Sequence, residues 1–217
     1  MPINSLHSGG ENNIFGENNS ISFLFAIVCI AILSYGRLFL LKNAFGDDLC
    51  WLSSLYGTDN LKDFLDTGFA QLRRKTQGTF LYYFLWLHKN TDYFYLIGRS
   101  INIATVALTP CFLFLFVRNL LKSDLLAFFI AITSLIYPLD TTITWLLNMI
   151  YPIGVMLCVI SFYFTERALS KENVNWKLLS LALIIAGISY TVFIEGAVFL
   201  EPARVATIGL IFHRRSI

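Results

Sequence analysis

The sequence predicts an all-α fold: a polytopic transmembrane helix bundle with interfacial amphipathic helices in its first outer loop. Three observations carry that reading. Of 217 residues, 56% are hydrophobic and only 14% are charged, well above and well below the shares of an ordinary water-exposed domain. Several apolar runs reach or approach the roughly 20 residues a helix needs to cross a bilayer. Between the first two runs the apolar residues recur at helical spacing instead of continuously, which is the pattern of a helix lying on a membrane surface. Net charge is +2 and the cations are dispersed, so no nucleic-acid footprint is present. Cys29, Cys50, Cys111 and Cys158 match neither a metal knuckle nor a redox pair in spacing. All but Cys50 sit in apolar runs, where a thiol packs as a small hydrophobe.

Residues 1–20 are polar, carry Glu11 and Glu17 but no cation, and read as a flexible tail instead of the basic start of a cleaved signal peptide. Residues 21–217 form the transmembrane helical domain. Its first span, 21–41, is interrupted by Arg37 and serves as an uncleaved anchor. Just beyond lies Asn43-Ala44-Phe45-Gly46-Asp47-Asp48-Leu49-Cys50-Trp51. Two adjacent carboxylates beside a membrane are costly unless solvated, paired or used. Asp47 and Asp48 are therefore either water-facing loop acids or part of a site.

A surface helix is expected over 60–76, with Leu61, Phe64, Leu65, Phe69 and Leu72 on one stripe. Thr58-Asp59-Asn60 supplies cap-type residues, and Asp63 sits near the positive end of the dipole. Its far end carries Arg73-Arg74-Lys75, where the dipole favours cations, and Gly78 is expected to stop it. That triplet either touches lipid headgroups or clamps a phosphate. A second short helix, 79–89, is too short to span and lies in the interface or against the bundle.

The next full span, 93–117, holds Arg99 near its start and Pro110 in its middle, where a kink is expected. Spans 125–138 and 150–166 are short. At about 1.5 Å per residue, each covers roughly 20 Å of a core about 30 Å thick. Between them, Pro138-Leu139-Asp140-Thr141-Thr142 admits two readings. Asp140 lies in a water-filled recess below the membrane plane, or the helix continues through Pro138 and Asp140 is a paired interior acid. Span 178–194 is followed by Glu195. In the last span, 197–212, Glu201 and Arg204 are close enough to neutralise one another, and His213-Arg214-Arg215 forms a basic flank.

Arg118 with Lys122, Arg167 with Lys171 and Lys177, and Arg214 with Arg215 mark three loops or ends as cytoplasmic. Counting spans between them puts Asp47, Asp48, Asp140 and Glu195 on the opposite face, with the Arg73 to Lys75 triplet. The first span alone favours the reverse, having no cation before it and Arg37 and Lys42 after it.

The order of these features is similar to the start of a polytopic GT-C-type glycosyltransferase. The match consists of one anchor helix, an outer loop opening with an acidic pair, a surface helix, a basic residue before Gly78-Thr79-Phe80-Leu81-Tyr82-Tyr83, and Arg99 in Ile97-Gly98-Arg99-Ser100-Ile101. The resemblance covers about residues 21–200 and extends to bacterial members that modify O-antigen and lipid A. It implies a multi-pass protein of the bacterial plasma membrane that moves a sugar from a polyprenyl-phosphate donor to an extracytoplasmic acceptor. By that resemblance Asp48 or Asp47 is the general base for the acceptor hydroxyl, or helps hold a divalent metal ion. Arg73, Arg74 and Lys75 stabilise the leaving phosphate, and Arg99 is a further candidate. Asp140 resembles a later outer-loop acid. Glu195, in Ser189-Tyr190-Thr191-Val192-Phe193-Ile194-Glu195, resembles an acid following a tyrosine, though here the two are not adjacent. Members of the superfamily have more than the five or six spans readable here, so the chain is the front part of a longer enzyme, a minimal member, or one subunit that needs a membrane partner. The competing reading is a non-enzymatic membrane subunit of a flippase, transporter or assembly scaffold, with Asp140 and Glu195 lining a path. The absence of Gly- or Pro-broken helices in two similar halves counts against the transporter form.

Overall fold

Long apolar runs with few breaks favour helix, and the computed structural model is helical without a strand among the described residues, which are 16–36, 53, 55–66, 75–91, 93–136, 150–170, 173–193 and 200–215. The helices are α1 (Gly16–Tyr35), α2 (Leu61–Phe64), α3 (Lys75–Asn90), α4 (Phe94–Leu121), α5 (Asp124–Leu135), α6 (Ile150–Leu169), α7 (Trp176–Ile188) and α8 (Glu201–Arg215). A π-helical turn, Ser189–Phe193, prolongs α7. Among the described residues three stretches are long and apolar enough to cross a membrane: Phe94–Leu121, Ile150–Leu169 and Trp176–Phe193. Ser20–Tyr35 and Asp124–Leu135 are shorter apolar helices.

Several boundaries differ from expectation for tertiary reasons. Helix α1 begins at Gly16, inside the expected tail. Ser20 is buried there and its hydroxyl donates to Asp124 Oδ2 at 3.4 Å, tying the start of α1 to the start of α5. Helix α4 continues through Pro110 to Leu121. It ends at Lys122, whose φ of 57° is left-handed and whose backbone N–H donates to the Arg118 carbonyl at 2.8 Å. Ser123 then caps α5 by accepting from the Leu126 N–H, and Arg118 Nε pairs with Asp124 Oδ1 at 2.7 Å across the turn. Helix α8 starts at Glu201 because Pro202 fits a first turn, where its missing N–H leaves nothing unpaired.

The expected surface helix is described only in part. Asn60 caps α2, accepting from the Asp63 N–H at 3.0 Å while its Nδ2 donates to Asp63 Oδ2 at 2.8 Å. The described part of α3 runs from Lys75, and Gly78 lies buried inside it and does not stop a helix. A tertiary contact holds this segment: Thr76 Oγ1 donates to the Thr191 carbonyl and Gln77 Nε2 to the Phe193 carbonyl, each at 2.8 Å. Two such bonds offset the roughly 1 kcal/mol that an interior glycine costs.

Helix α4 packs against α1, α5 and α6, while α6 also packs against α7 and α8. The α6–α7 contact is built from small residues. Gly154 and Cys158 on one side and Ala182, Ala186 and Ser189 on the other are buried at helical spacing, and Ser189 Oγ donates to the Gly154 carbonyl at 2.8 Å. Small side chains let the backbones approach, which is how helices associate where no hydrophobic drive separates them from lipid. Each end of the assembly has its own apolar cluster. Ile27, Phe114, Val117, Ala127 and Ala131 join α1, α4 and α5 near the basic end, where α4 and α6 finish. Leu55, Phe64, Leu85, Phe94, Ile150 and Phe193 join α2, α3, α4, α6 and the π turn at the far end.

Candidate functional site

Five described helix ends lie in the half of the assembly away from the basic end, in two groups. The Tyr35 hydroxyl donates to the Leu135 carbonyl at 2.8 Å, which brings the close of α1 to the close of α5. Phe94 at the start of α4, Ile150 at the start of α6 and Phe193 at the end of the π turn share one cluster. Asp47, Asp48, Arg73, Arg74, Asp140 and Glu195 lie outside the described residues. The backbone of Lys75 is described and lies in α3, where the next two residues hydrogen-bond to the π turn.

Arg99 is the candidate whose side chain is described. It lies in the second turn of α4 and is 1% exposed, with the buried Asn102 one turn further along the same face. A guanidinium keeps its charge at every accessible pH, so burial of Arg99 demands acceptors or anionic groups around it. Its setting is a polar stripe on an otherwise apolar helix, continued by Thr105, whose hydroxyl donates to the Asn102 carbonyl at 2.8 Å.

Two turns below Arg99, a cavity of about 280 Å³ opens between α4, α5 and α6, lined by Val106, Pro110, Leu113, Leu135, Tyr151 and Val155 among others. Pro110 has no N–H to give the Val106 carbonyl. Two hydroxyls on the wall are spent inside their own helices: Thr109 donates to the Thr105 carbonyl and Ser134 to the Ala131 carbonyl, each at 2.7 Å. What remains facing the space is chiefly apolar, so it suits a hydrocarbon chain more than a polar solute.

A second polar centre joins α6, the π turn and α8. Arg204 Nε donates to both Glu201 oxygens at 2.9 Å, so the pairing expected from their spacing is present. One terminal nitrogen donates to Thr165 Oγ1 at 2.7 Å and the Ser161 carbonyl at 3.3 Å; the other donates to Ser161 Oγ at 2.6 Å and the Tyr190 hydroxyl at 3.3 Å. Tyr190 also donates to Glu201 Oε1, and the Phe162 ring lies 4.5 Å from the guanidinium carbon. All five donors of the guanidinium are engaged. The centre is therefore a strut that holds α8 to α6, with no donor left to grip a ligand. Sequence reading reached the Glu201–Arg204 pair through its local spacing and missed Ser161, Thr165 and Tyr190, which no local signal links to Arg204.

Fold and site together define a protein whose described residues are helical, with three membrane-length helices among them and a buried cation beneath the far end. Among known families, curated proteins and solved structures, none matches the chain.

Proposed function

We propose that the chain is a multi-pass membrane protein that acts as a GT-C-type glycosyltransferase, or as the N-terminal portion of one, moving a sugar from a polyprenyl-phosphate carrier to an extracytoplasmic acceptor. The observation that carries the reading is the placing of described helix ends in the half of the assembly that holds Arg99. Phe94, Ile150 and Phe193 share one cluster there, and Tyr35 and Leu135 meet further down α4 beside Ile103 and Val106, away from Arg118, Lys122, Arg167, Arg214 and Arg215. The positive-inside rule assigns the basic end to the cytoplasm. Exposed apolar side chains such as Phe25, Leu33, Leu183 and Ile184 supply a surface suited to lipid.

In this reading Asp48, with Asp47 as the alternative, takes the proton of the acceptor hydroxyl as it attacks the anomeric carbon. Asp47 and Asp48 are also the residues that would hold a divalent ion. Arg73, Arg74, Lys75 and the buried Arg99 offset the charge that develops on the departing phosphate. The apolar cavity beneath Arg99 receives part of the carrier's hydrocarbon chain. Asp47→Asn and Asp48→Asn, made separately and assayed in native membranes with a labelled polyprenyl-phosphate sugar, test the assignment. One of them is expected to lower transfer by about 100-fold or more, the usual weight of a general base. Wild-type rates in both variants would overturn it.

A further inference from the structure

The basic end contains a second cavity, about 220 Å³, between the closing turns of α4, α6 and α8; Asn119, Lys122, Glu166, Ser170, Arg214 and Arg215 line it. Its construction differs from that of the cavity near Arg99. The closing carbonyls of α4 and α6 would by themselves make this a negative place. Arg214 reverses that by donating to the Leu120 carbonyl, and Arg215 by donating to the Leu169 carbonyl. Glu166, only 3% exposed, has its carboxylate turned to neutral donors, Asn119 Nδ2 at 2.8 Å and the Ser170 hydroxyl. Arg118 and Asp124 nearby cancel one another. Among the described lining residues three cations stand against one carboxylate, a formal charge of +2.

A second, independent feature singles out Lys122. It is the one non-glycine residue with positive φ among the described residues, at a helix C-terminus where glycine is the ordinary occupant. A residue held in an unfavourable backbone conformation at the rim of a charged cavity points to use of its side chain. The surroundings specify the depth. Leu121 and Phe212 expose apolar surface beside the cavity, and Trp176, at the start of α7 on the same end, is exposed as an interfacial tryptophan would be.

We propose that this cavity is a binding site for a phosphate group, presented as the headgroup of an anionic phospholipid or as free phosphate. Lys122 and Arg214 grip the oxygens, with Arg215 adding to the positive field. A phosphodiester brings one negative charge and a monoester between one and two, so either is accommodated without reversing the sign of the lining. In the lipid form the acyl chains run along the exposed apolar faces at Leu121 and Phe212. The site lies at the opposite end of the helices from Arg99 and does not depend on the sugar-transfer reading.

The test compares thermal unfolding of the full chain in detergent micelles doped with phosphatidylglycerol or with phosphatidylcholine, and in inorganic phosphate against chloride at equal ionic strength. Protection by phosphatidylglycerol alone identifies a lipid headgroup; protection by inorganic phosphate as well identifies a site for the phosphate group itself. Lys122→Gln leaves both arginine-to-carbonyl contacts in place and is expected to weaken the protective interaction about tenfold, the weight of one charge-assisted contact. Arg214→Gln should weaken it further, with Arg214→Lys retaining part. Equal response to all four conditions, or unchanged protection in a folded Lys122→Gln protein, would overturn the proposal.

Discussion

Arg204 and Glu201 form one ion pair whose members are unequally buried: the arginine side chain is 5% exposed and the glutamate 33%. That asymmetry predicts which partner is harder to lose. Glu201→Gln leaves a permanently charged guanidinium in the interior with its counter-ion gone, at a cost of about 3 kcal/mol. Arg204→Met removes the buried charge itself and leaves Glu201 the Tyr190 hydroxyl as donor, so its cost is the lost hydrogen bonds to Ser161, Thr165 and Tyr190, about 2 kcal/mol. Thermal unfolding of both single variants and the double variant in detergent checks this. The double variant should lose less than the sum of the two, and a harmless Glu201→Gln would show that charge does not hold α8 in place. Legibility in the sequence follows the same division. Glu201 and Arg204 are three residues apart, and a helix brings such positions together wherever it forms. Ser161 precedes Arg204 by 43 residues, and only the packing of α8 on α6 makes them neighbours. Arg99 was visible as a charge in an apolar run, but its nearly complete burial was not.

At the level of elements, helices were easier to foresee than their ends. Apolar periodicity locates the middle of α4, α6 and α7, whereas their limits depend on partners elsewhere in the chain. Helix α3 is the clearest case. Arg73-Arg74-Lys75 followed by Gly78 reads locally as a C-terminus, yet Thr76 and Gln77 find carbonyls of the π turn 115 and 116 residues away, and the helix described from Lys75 runs on through Gly78. The α4–α5 turn shows the converse, with a local cost tolerated for a distant purpose. Glycine at position 122 would relieve the left-handed strain carried by Lys122. Lys122→Gly is therefore expected to raise stability by about 1 kcal/mol while weakening phosphate protection as Lys122→Gln does. Parallel melting curves with and without phosphatidylglycerol would measure both effects on one sample. A loss of stability in Lys122→Gly without ligand would mean that the lysine side chain supports the turn.

For the molecule as a whole, the helical character of the described residues was readable because few residues interrupt the apolar runs, but the pairing of helices was not, since a hydropathy pattern carries no information on which helices are neighbours. The structure adds two contacts that fix relative direction: Ser20 to Asp124 at one end and the Tyr35 hydroxyl to the Leu135 carbonyl at the other make α1 and α5 parallel. Parallel helices that both cross a membrane must begin on the same side, so the orientation of α1 is bound to that of α5. This bears on the conflict in the charge pattern. Arg37 and Lys42 argue for one orientation of the first span, while Arg118, Lys122, Arg167, Lys171, Lys177, Arg214 and Arg215 argue for the other. Because α1 follows α5, the larger set governs both, and the expected arrangement places the basic end in the cytoplasm. Cysteines introduced one at a time as Asp48→Cys, Asp140→Cys and Lys122→Cys, in a protein lacking its four native cysteines, report the outcome with a membrane-impermeant thiol reagent. Positions 48 and 140 should react in intact cells and position 122 only after the membrane is opened. Reaction at 122 in intact cells would invert the whole assembly, and reaction at only one of 48 and 140 would separate the acids that the glycosyltransferase reading requires on one face.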